Sequence, residues 1–284
     1  MKQVMAIVLN FNSYDDTEKC VRLLMAQKNV NLGICVVDNG SNQDEQNKLS
    51  SFCLENSILF SKNNENKGYS AGNNTGLKKA SDLGYEYAMI INPDVEIRDE
   101  NYISEAYKKL VSDKEIAVLG TDILLPDRGH QNPMRELRYW EDLLWPVIIL
   151  RNKVKKSMPY IKNHKKSDYC EKLSGCCFFI DLDFAKQIGF LDENVFLYSE
   201  EAILAAAVKK QNRKMFYESN LTAYHMHNVS DEKASADQIK EFLKSRRYYL
   251  NNYSKYGKVR LALVNKSIKW QEKALLRKYK KASK

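Results

Sequence analysis

The sequence predicts an α/β protein with a mostly parallel central sheet flanked by helices, followed by a basic helical extension. Short apolar segments alternate with segments of helical spacing over the first 120 residues or so, which is typical of βαβ units. The extension is predicted by charge, because residues 258–284 contain ten Lys or Arg and a single acid, Glu272. This excess equals the net charge of +9 of the 284-residue chain, so residues 1–257 are neutral overall.

Composition narrows the function classes. Apolar residues make up 44% of the chain and charged residues 29%, which is typical of a globular protein. The six cysteines lack zinc-site spacing, so we expect buried free thiols in a reducing, cytoplasmic compartment. No apolar run approaches the roughly 20 residues of a bilayer-spanning helix. A nucleic-acid-binding protein is disfavoured, because its basic residues would be spread over the body rather than confined to one end.

Each element follows from its local pattern. Seven short apolar segments bounded by polar or turn residues are predicted to be strands: residues 4–9, 33–37, 58–60, 87–91, 116–119, 173–180 and 214–217. Five intervening segments are predicted to be helices. They are residues 14–27, with Ser13 as N-cap, about 43–55, a helix opened by the glycine-rich turn 65–76 and ending near residue 83, about 101–112, and 199–211. Residues 231–256 also have helical spacing.

The pattern is interrupted between residues 126 and 168. This segment contains four prolines, an apolar patch at residues 143–150, and seven Lys or Arg without an acid at residues 151–166. We interpret it as an insertion or lid. The predicted organisation is therefore a catalytic domain at residues 1–230, containing this insertion, and an extension at residues 231–284.

Two aspartates stand at predicted strand ends, where parallel sheets collect ligands. Asp94 follows the strand 87–91 through Asn92 and Pro93, and Pro93 prevents the strand from continuing as a central ladder. A carboxylate there suits a divalent cation that carries phosphate oxygens. Asp38 ends the strand 33–37 and could accept hydrogen bonds from a base or ribose. Turn aspartates that bind nothing are the alternative for both.

Three further motifs could carry chemistry. The glycine-rich segment 65–76 lacks the dinucleotide and P-loop patterns, but it allows an anion to approach a helix N-terminus; helix–sheet packing is the alternative. Glu200 and Glu201 open a helix, either as partners of its dipole or with one acting as a general base. His225, at the end of a predicted strand, is either a surface residue or a ligand of a metal or phosphate.

The order of these motifs resembles glycosyltransferase family 2, in particular its rhamnosyltransferase-like branch that builds bacterial surface polysaccharides. The resemblance covers about residues 3–230 and rests on this series: Asp38-Asn39-Gly40-Ser41, residues 66–76, Asn92-Pro93-Asp94-Val95, Ser174-Gly175-Cys176, Phe190-Leu191-Asp192-Glu193, Tyr198-Ser199-Glu200-Glu201 and Tyr224-His225.

The resemblance implies a GT-A fold and inverting transfer of a hexose or deoxyhexose from a UDP- or dTDP-sugar to a hydroxyl. It implies a Mg²⁺ or Mn²⁺ cofactor on the leaving diphosphate. The implied roles are a general base for Glu201, donor contacts for Asp38, Asn73, Asn74, Asn92 and Asp94, an acceptor side at Gly175 and Glu200, and metal contacts for Asp94 and His225.

The chain departs from the family pattern on the helix that follows Glu201. The family has an aspartate where this chain has Ile203, and an arginine about one turn later where this chain has alanines. A catalytically lapsed partner subunit therefore stays an alternative, as does, less favoured, a basic nucleic-acid-binding protein.

The extension suggests a membrane surface. Leu261, Val264, Ile268, Leu275 and Tyr279 fall near one helical face, with Lys and Arg around much of the rest. The patch at residues 143–150 and the basic run after it could also face lipid. Both fit a glycan acceptor on a polyprenyl diphosphate at the inner leaflet of the cell membrane, with the protein bound peripherally. Packing of this helix on the body or on a second copy, giving a homo-oligomer, is the alternative.

Overall fold

The structure is a computed structural model that describes residues 2–127, 129–144, 163–226 and 235–282, with side chains as far as residue 273. Most of the apolar patch at residues 143–150 and of the basic run at 151–166 lies outside the described residues, and so do the side chains of Leu275 and Tyr279. Their predicted roles stay predictions.

A single mixed sheet organises the fold and confirms the α/β prediction. The strands, in chain order, are β1 Val4–Asn10, β2 Leu32–Asn39, β3 Leu59–Asn63, β4 Tyr87–Ile91, β5 Val95–Glu96, β6 Ile116–Leu124, β7 Asp168–Cys170, β8 Cys177–Asp181 and β9 Lys214–His225. They lie in the order β3-β2-β1-β4-β8-β6-β9-β5, and β7 also pairs with β9. β3, β2, β1 and β4 run parallel to one another, and β6 is parallel to β9, whereas β8 is antiparallel to both β4 and β6.

Helices cover both faces of the sheet. They are α1 Tyr14–Met25, α2 Gln43–Glu55, α3 Tyr69–Asp82, α4 Tyr102–Ser112, α5 Tyr139–Leu143, α6 Leu182–Gln187, α7 Glu200–Lys210, α8 Ala236–Asn252 and α9 Lys258–Ala282. Strand alternation divides the core: in β1, Val4, Ala6 and Val8 pack towards α1, α2 and α4, whereas Met5 and Ile7 pack towards α3, α6 and α7. The inner parallel strands β1 and β4 are buried on both faces, which explains their continuous apolar runs.

Three predicted strands differ from the observed ones by four residues or more at one end. The strand predicted at 116–119 continues to Leu124. The strand predicted at residues 173–180 begins at Cys177, because Ser174 donates its backbone N–H to Asn132 and leaves the ladder. The strand predicted at 214–217 continues to His225 as one strand, with a register shift against β6 between Thr121 and Asp122.

The C-terminal helices pack on the body together with α5. Val264 and Ile268 of α9 are buried against Leu243 and Leu250 of α8, and Leu261 packs beside them. Arg246 of α8 pairs with the buried Asp142 of α5, which also accepts a hydrogen bond of 2.6 Å from Tyr256. Three residues of the predicted lipid-facing stripe are thus used in packing. No helix among the described residues is long and apolar enough to cross a bilayer.

Candidate active site

An open cleft of about 430 Å³ lies at the carboxyl ends of β1, β2 and β4. Its lining combines apolar, polar and acidic side chains: Leu9, Phe11, Ser13, Asp16, Asn39, Asn66, Gly68, Tyr69, Asn92, Pro93, Asp94, Phe196 and Leu197. This is the sheet edge at which the sequence predicted a ligand, and Asn92 and Asp94 lie in it as expected. The described lining contains two carboxylates and neither Lys nor Arg.

Asp94 and His225 meet because of strand pairing. β4 ends at Ile91, and the chain turns through Asn92-Pro93-Asp94 into β5, which pairs antiparallel with β9 so that Val95 lies opposite His225. His225 Nε2 lies 3.1 Å from Asp94 Oδ2. The backbone N–H of Met226 also donates to the carbonyl of Asp94, at 2.8 Å. The two predicted metal contacts are therefore neighbours, although 131 positions separate them in sequence.

Gln131 orients the imidazole of His225. Its Oε1 lies 3.0 Å from His225 Nδ1 and accepts that N–H, which directs Nε2 towards Asp94. Burial opposes the imidazolium form, but the hydrogen bonds to Asp94 and Cys176 outweigh it and raise the pKa of His225 to about 10. The protonated imidazole of His225 therefore places a positive charge beside the Asp94 carboxylate. The other carboxylate among the described cleft residues is that of Asp16.

The donor contacts predicted for Asp38 and the two α3 asparagines involve buried residues. Asp38 is fully buried; its carboxylate accepts from Asn10 Nδ2 and from the backbone of Ser41, each at 3.2 Å. Its neighbour Asn39 reaches the cleft instead and donates to Asn66 and to the carbonyl of Gly68.

Asn74 joins α3 to the segment after α6. Its side chain donates to the carbonyl of Leu191 at 2.8 Å and to Glu193 at 2.7 Å, and it accepts the N–H of Leu191 at 2.9 Å. Asn73 is also buried and donates to the carbonyl of Tyr69. The structure gives these residues structural contacts, and their donor contacts stay predictions.

Gly175, Tyr69 and Glu201 form the opposite side of the site. The hydroxyl of Tyr69, which also lines the cleft, donates to the carbonyl of Gly175. A Cβ at Gly175 would lie 3.6 Å from Glu201 Oε1 and 3.5 Å from the hydroxyl of Tyr69. The next residue, Cys176, accepts the N–H of Asn92 at 2.8 Å. The loop before β8 therefore connects the cleft with the carboxylates of α7.

A second pocket, of about 290 Å³, lies behind Glu201. It is bounded by the start of α7 and by α8 and α9: Met134, Leu137, Asp142, Lys172, Tyr198, Ser199, Glu200, Glu201, Ala202, Phe242, Leu243, Arg246, Leu250, Ile268 and Gln271. Burial, and then repulsion by the Glu201 carboxylate, raise the pKa of Glu200 to about 8. Glu200 Oε2 is buried without a hydrogen-bond partner among the described residues.

Helix α8 holds the segment that carries these carboxylates. Ser245, which is 1% exposed, donates to the carbonyl of Leu197 at 2.7 Å. Tyr248 and Tyr253 both donate to Asp192, and the ring of Phe242 packs edge-on against Tyr198. Tyr198 and Ser199 have φ of +73° and +68°, a left-handed conformation that side-chain-bearing residues adopt rarely. The segment therefore depends on these contacts for its conformation.

Sequence reasoning missed several of the residues that complete the site. Gln131 lies in the predicted insertion, where no periodic pattern marks it. Phe11 and Phe196, which are 48% and 42% exposed, line the cleft. Phe11 carried a signal, because a large apolar residue in the polar run after β1 is unusual. Ser245 and the tyrosines of α8 look in sequence like ordinary helix residues.

The residues at the cleft fit a divalent cation of limited protein coordination. Asp94 supplies a carboxylate, and His225 supplies an imidazole nitrogen once its Nε2 loses the proton, as metal binding requires; both are ligands that Mn²⁺ accepts. The described residues contain no group of three or more His, Cys, Asp or Glu that could hold a metal. A cation held by this pair would need further ligands from a bound molecule and water, as Mg²⁺ and Mn²⁺ bound with nucleotide phosphates do.

Comparison with known proteins agrees with this architecture. A hexosyltransferase of low-salt glycan biosynthesis, Agl10 of Haloferax volcanii, is 26% identical over 253 residues, which cover 89% of this chain and 76% of that protein. The structure resembles GalNAc-T7 crystallised with UDP, GalNAc and Mn²⁺, with a TM-score of 0.63 at 14% identity. This likeness covers 88% of the chain but about half of that enzyme, 48%.

A mannosyltransferase of Pyrobaculum calidifontis, crystallised with GDP-Man and Mn²⁺, gives a TM-score of 0.61 at 12% identity, covering 99% of this chain and 80% of that one. These likenesses show the GT-A fold. The glycosyl transferase family 2 model matches residues 5–183, which is more than half of the sequence. The chain therefore belongs to glycosyl transferase family 2.

Proposed function

We propose that the protein is an inverting, metal-dependent transferase that moves a hexose or deoxyhexose, such as rhamnose, from a UDP- or dTDP-sugar to a hydroxyl of a lipid-linked glycan. The observation that carries the proposal is the arrangement around Gly175. The Asp94–His225 pair lies on the cleft side of the loop that contains Gly175, and Glu201 lies beside that glycine. The residues proposed to bind the donor and the residue proposed to activate the acceptor are thus neighbours.

The donor diphosphate would lie in the 430 Å³ cleft, beside Asp94 and His225. Neither Lys nor Arg lines the described cleft, and His225 is neutral when it binds a metal, so the cleft side chains offer no fixed cation to balance a diphosphate. Mg²⁺ or Mn²⁺, when bound, supplies that positive charge and stabilises the departing nucleoside diphosphate. The exposed rings of Phe11 and Phe196 suit stacking on the nucleobase.

Glu201 would act as the general base. The acceptor hydroxyl gives its proton to the Glu201 carboxylate as its oxygen bonds to the anomeric carbon, and the bond from that carbon to the diphosphate breaks. The attack comes from the face opposite the leaving group, so the configuration inverts. Protonated Glu200 would lower the charge of the acidic pair, since burial and repulsion by Glu201 hold its pKa near 8.

The pocket of 290 Å³ beside Glu201 suits the acceptor. Its lining is largely apolar, with Lys172, Arg246 and Asp142 as ionisable groups besides Glu200 and Glu201. Sugar rings offer such a pocket both hydroxyls and apolar faces. A polyprenyl-linked acceptor would bring the enzyme to the inner leaflet of the membrane, in a pathway that builds surface polysaccharide. Agl10, the similar hexosyltransferase, is named for glycan biosynthesis.

The proposal is tested with a panel of UDP-, dTDP- and GDP-sugars, with and without Mn²⁺. Binding is measured by thermal shift and turnover by nucleotide release in the presence of an acceptor extract. We expect metal-enhanced binding of one or two donors and its loss in Asp94→Ala. Surface substitution Lys108→Ala, in an exposed ion pair with Glu105, is the control.

The same experiment separates a lapsed partner subunit from an enzyme. Ile203, which stands where the family has an aspartate, lines a third pocket of about 150 Å³ next to Glu200. Donor binding without nucleotide release under any acceptor condition would favour the lapsed subunit. Binding of none of the donors would contradict both readings.

A further inference from the structure

Helix α9 has a second apolar face, which points to solvent. Val259, Leu263 and Trp270 are 76%, 47% and 65% exposed. At about 100° per residue these three positions fall within roughly 40° of one another around the helix. They form one stripe, here called the outer stripe, along almost three turns of α9.

The outer stripe differs from the stripe that packs on the body. Leu261, Val264 and Ile268 lie on the opposite side of α9, roughly 140–200° from Val259, and contact α8. Isolated exposed apolar residues are common on protein surfaces. An aligned row of them that includes a tryptophan is uncommon, particularly on a helix whose opposite side already packs on the protein.

Basic residues surround the outer stripe. Lys266 and Lys273 lie within about 40° of Val259 on one side, and Arg260 lies about 100° away on the other. All three are exposed. The only acid of this region, Glu272, is turned towards α8 and pairs with Arg247 at 3.0 Å. Within the described side chains of residues 258–273, the outer surface of α9 is thus basic and free of acids.

Helix α5 extends the same surface. The hydroxyl of Ser267 donates to the carbonyl of Leu143 at 2.8 Å, and Arg260 lies 5.2 Å from the ring centre of Tyr139. These contacts place α5 along the flank of the outer stripe. Trp140 and Leu144 of α5 are themselves 66% and 47% exposed. Both tryptophans whose side chains are described are therefore exposed on the surface formed by α5 and α9.

We propose that the outer stripe, with Trp140 and its basic border, docks on the surface of an anionic lipid bilayer. Tryptophan and leucine can enter the headgroup region, while lysine stems extend so that their ammonium groups meet lipid phosphates. The charge favours lipid over a second copy, because two such basic faces repel each other. The aliphatic centre of the stripe favours lipid over nucleic acid, whose contacts are mainly with phosphate.

Vesicle co-sedimentation of the full chain tests this proposal without requiring transfer activity. The vesicles are phosphatidylcholine, either pure or with one third phosphatidylglycerol. Two variants address the surface: Leu263→Gln with Trp270→Gln, and Lys266→Glu with Lys273→Glu. The matched control is Leu54→Gln on α2, whose side chain is 82% exposed on another part of the molecule.

We expect binding to the anionic vesicles that weakens with salt, falls about tenfold or more in both surface variants, and is unchanged in the control. All of the substituted side chains are exposed, so thermal unfolding should match wild type in each variant. Binding that is equal on neutral vesicles, or that survives in both variants, would overturn the proposal. So would a concentration-dependent dimer, or a complex with DNA, that the same variants abolish while vesicle binding is absent.

Discussion

The imidazole of His225 lies 3.1 Å from the carboxylate of Asp94 and is held there by a hydrogen bond of 3.0 Å from its other nitrogen to Gln131. The first contact follows from the pairing of β5 with β9, and the second comes from the insertion. Three remote segments of the chain therefore meet at one edge of the cleft. This arrangement makes Gln131 a positioning residue that can be tested.

Gln131→Leu should weaken nucleotide-dependent Mn²⁺ binding about 10- to 100-fold, since loss of an outer partner frees the histidine ring. Isothermal titration of Mn²⁺ in the presence of UDP or GDP measures the change. Gln131→Glu keeps an acceptor for the N–H and should lose less. Gln187→Leu, in an exposed pair with Gln211, should titrate like wild type. Equal affinity in Gln131→Leu would exclude the positioning role.

Glu201→Gln should lower kcat by about 10²- to 10⁴-fold while donor binding is retained, because only proton transfer is removed. Steady-state nucleotide release and donor titration measure the two quantities. Glu200→Gln removes the neighbouring carboxylate and should cost much less in kcat. If the two losses were reversed, the base would be Glu200.

Stability should depend on pH through Glu200. Burial raises its folded-state pKa to about 8, so the folded protein binds a proton more tightly than the unfolded chain. The associated stability is fully present below the unfolded pKa of roughly 4.3 and is lost as pH rises through about 8.

Glu200→Gln keeps a neutral side chain at every pH and should therefore gain in free energy of unfolding, relative to wild type, between about pH 5 and pH 8. The gain is measured by urea unfolding at several pH values. A difference between variant and wild type that is constant over this range would show that Glu200 titrates normally.

Gly175→Ala should leave the fold intact and impair transfer. The added methyl would meet Glu201 and Tyr69 only at ordinary contact distances of 3.5–3.6 Å, so no atom must move. It would, however, occupy space beside the Glu201 carboxylate, which we propose receives the acceptor proton. We expect an unchanged unfolding midpoint and a lower kcat/KM for the acceptor. Gly257→Ala, where an added Cβ meets nothing within 4 Å, is the control.

Asp142→Ala should destabilise the packing of α5 against the C-terminal helices α8 and α9. It leaves the buried Arg246 without its carboxylate, and breaking such a pair costs about 3–5 kcal/mol. Glu105→Ala breaks the exposed pair with Lys108 and should cost at most ~1 kcal/mol. Urea unfolding compares the two variants. Similar losses in both would mean that the Asp142 pair contributes no more than a surface ion pair.

The parts of the site that sequence predicts are those fixed by local pattern. Buried parallel strands are continuous apolar runs, so their ends could be found, and with them the placement of Asn92 and Asp94 at the cleft. The position of β8, which lies antiparallel between β4 and β6, could not be predicted in this way. Strand order depends on contacts between segments that are far apart in sequence, and local propensity does not encode them.

The internal hydrogen bonds of buried polar side chains could not be predicted from the sequence. Asp38 accepts from the backbone of Ser41 and Asn74 from that of Leu191, and the donor contacts predicted for both residues stay predictions. The helical spacing of apolar residues in α9 could be recognised in the sequence, but this spacing does not show whether the apolar side contacts lipid or protein. Val264 and Ile268 pack on α8, whereas Trp270 faces outward.

The hydrogen bond from Ser245 to Leu197 bears on how far this protein is modular. Leu197 lines the cleft proposed for the nucleotide, and Glu200 and Glu201, which follow within one turn, line the pocket proposed for the acceptor, so a single short loop would serve both substrates. A fragment ending near residue 230 would keep the sheet but lose the brace on that loop. Exchanging the last two helices between relatives would therefore alter catalysis as well as acceptor choice, unless the loop were exchanged with them.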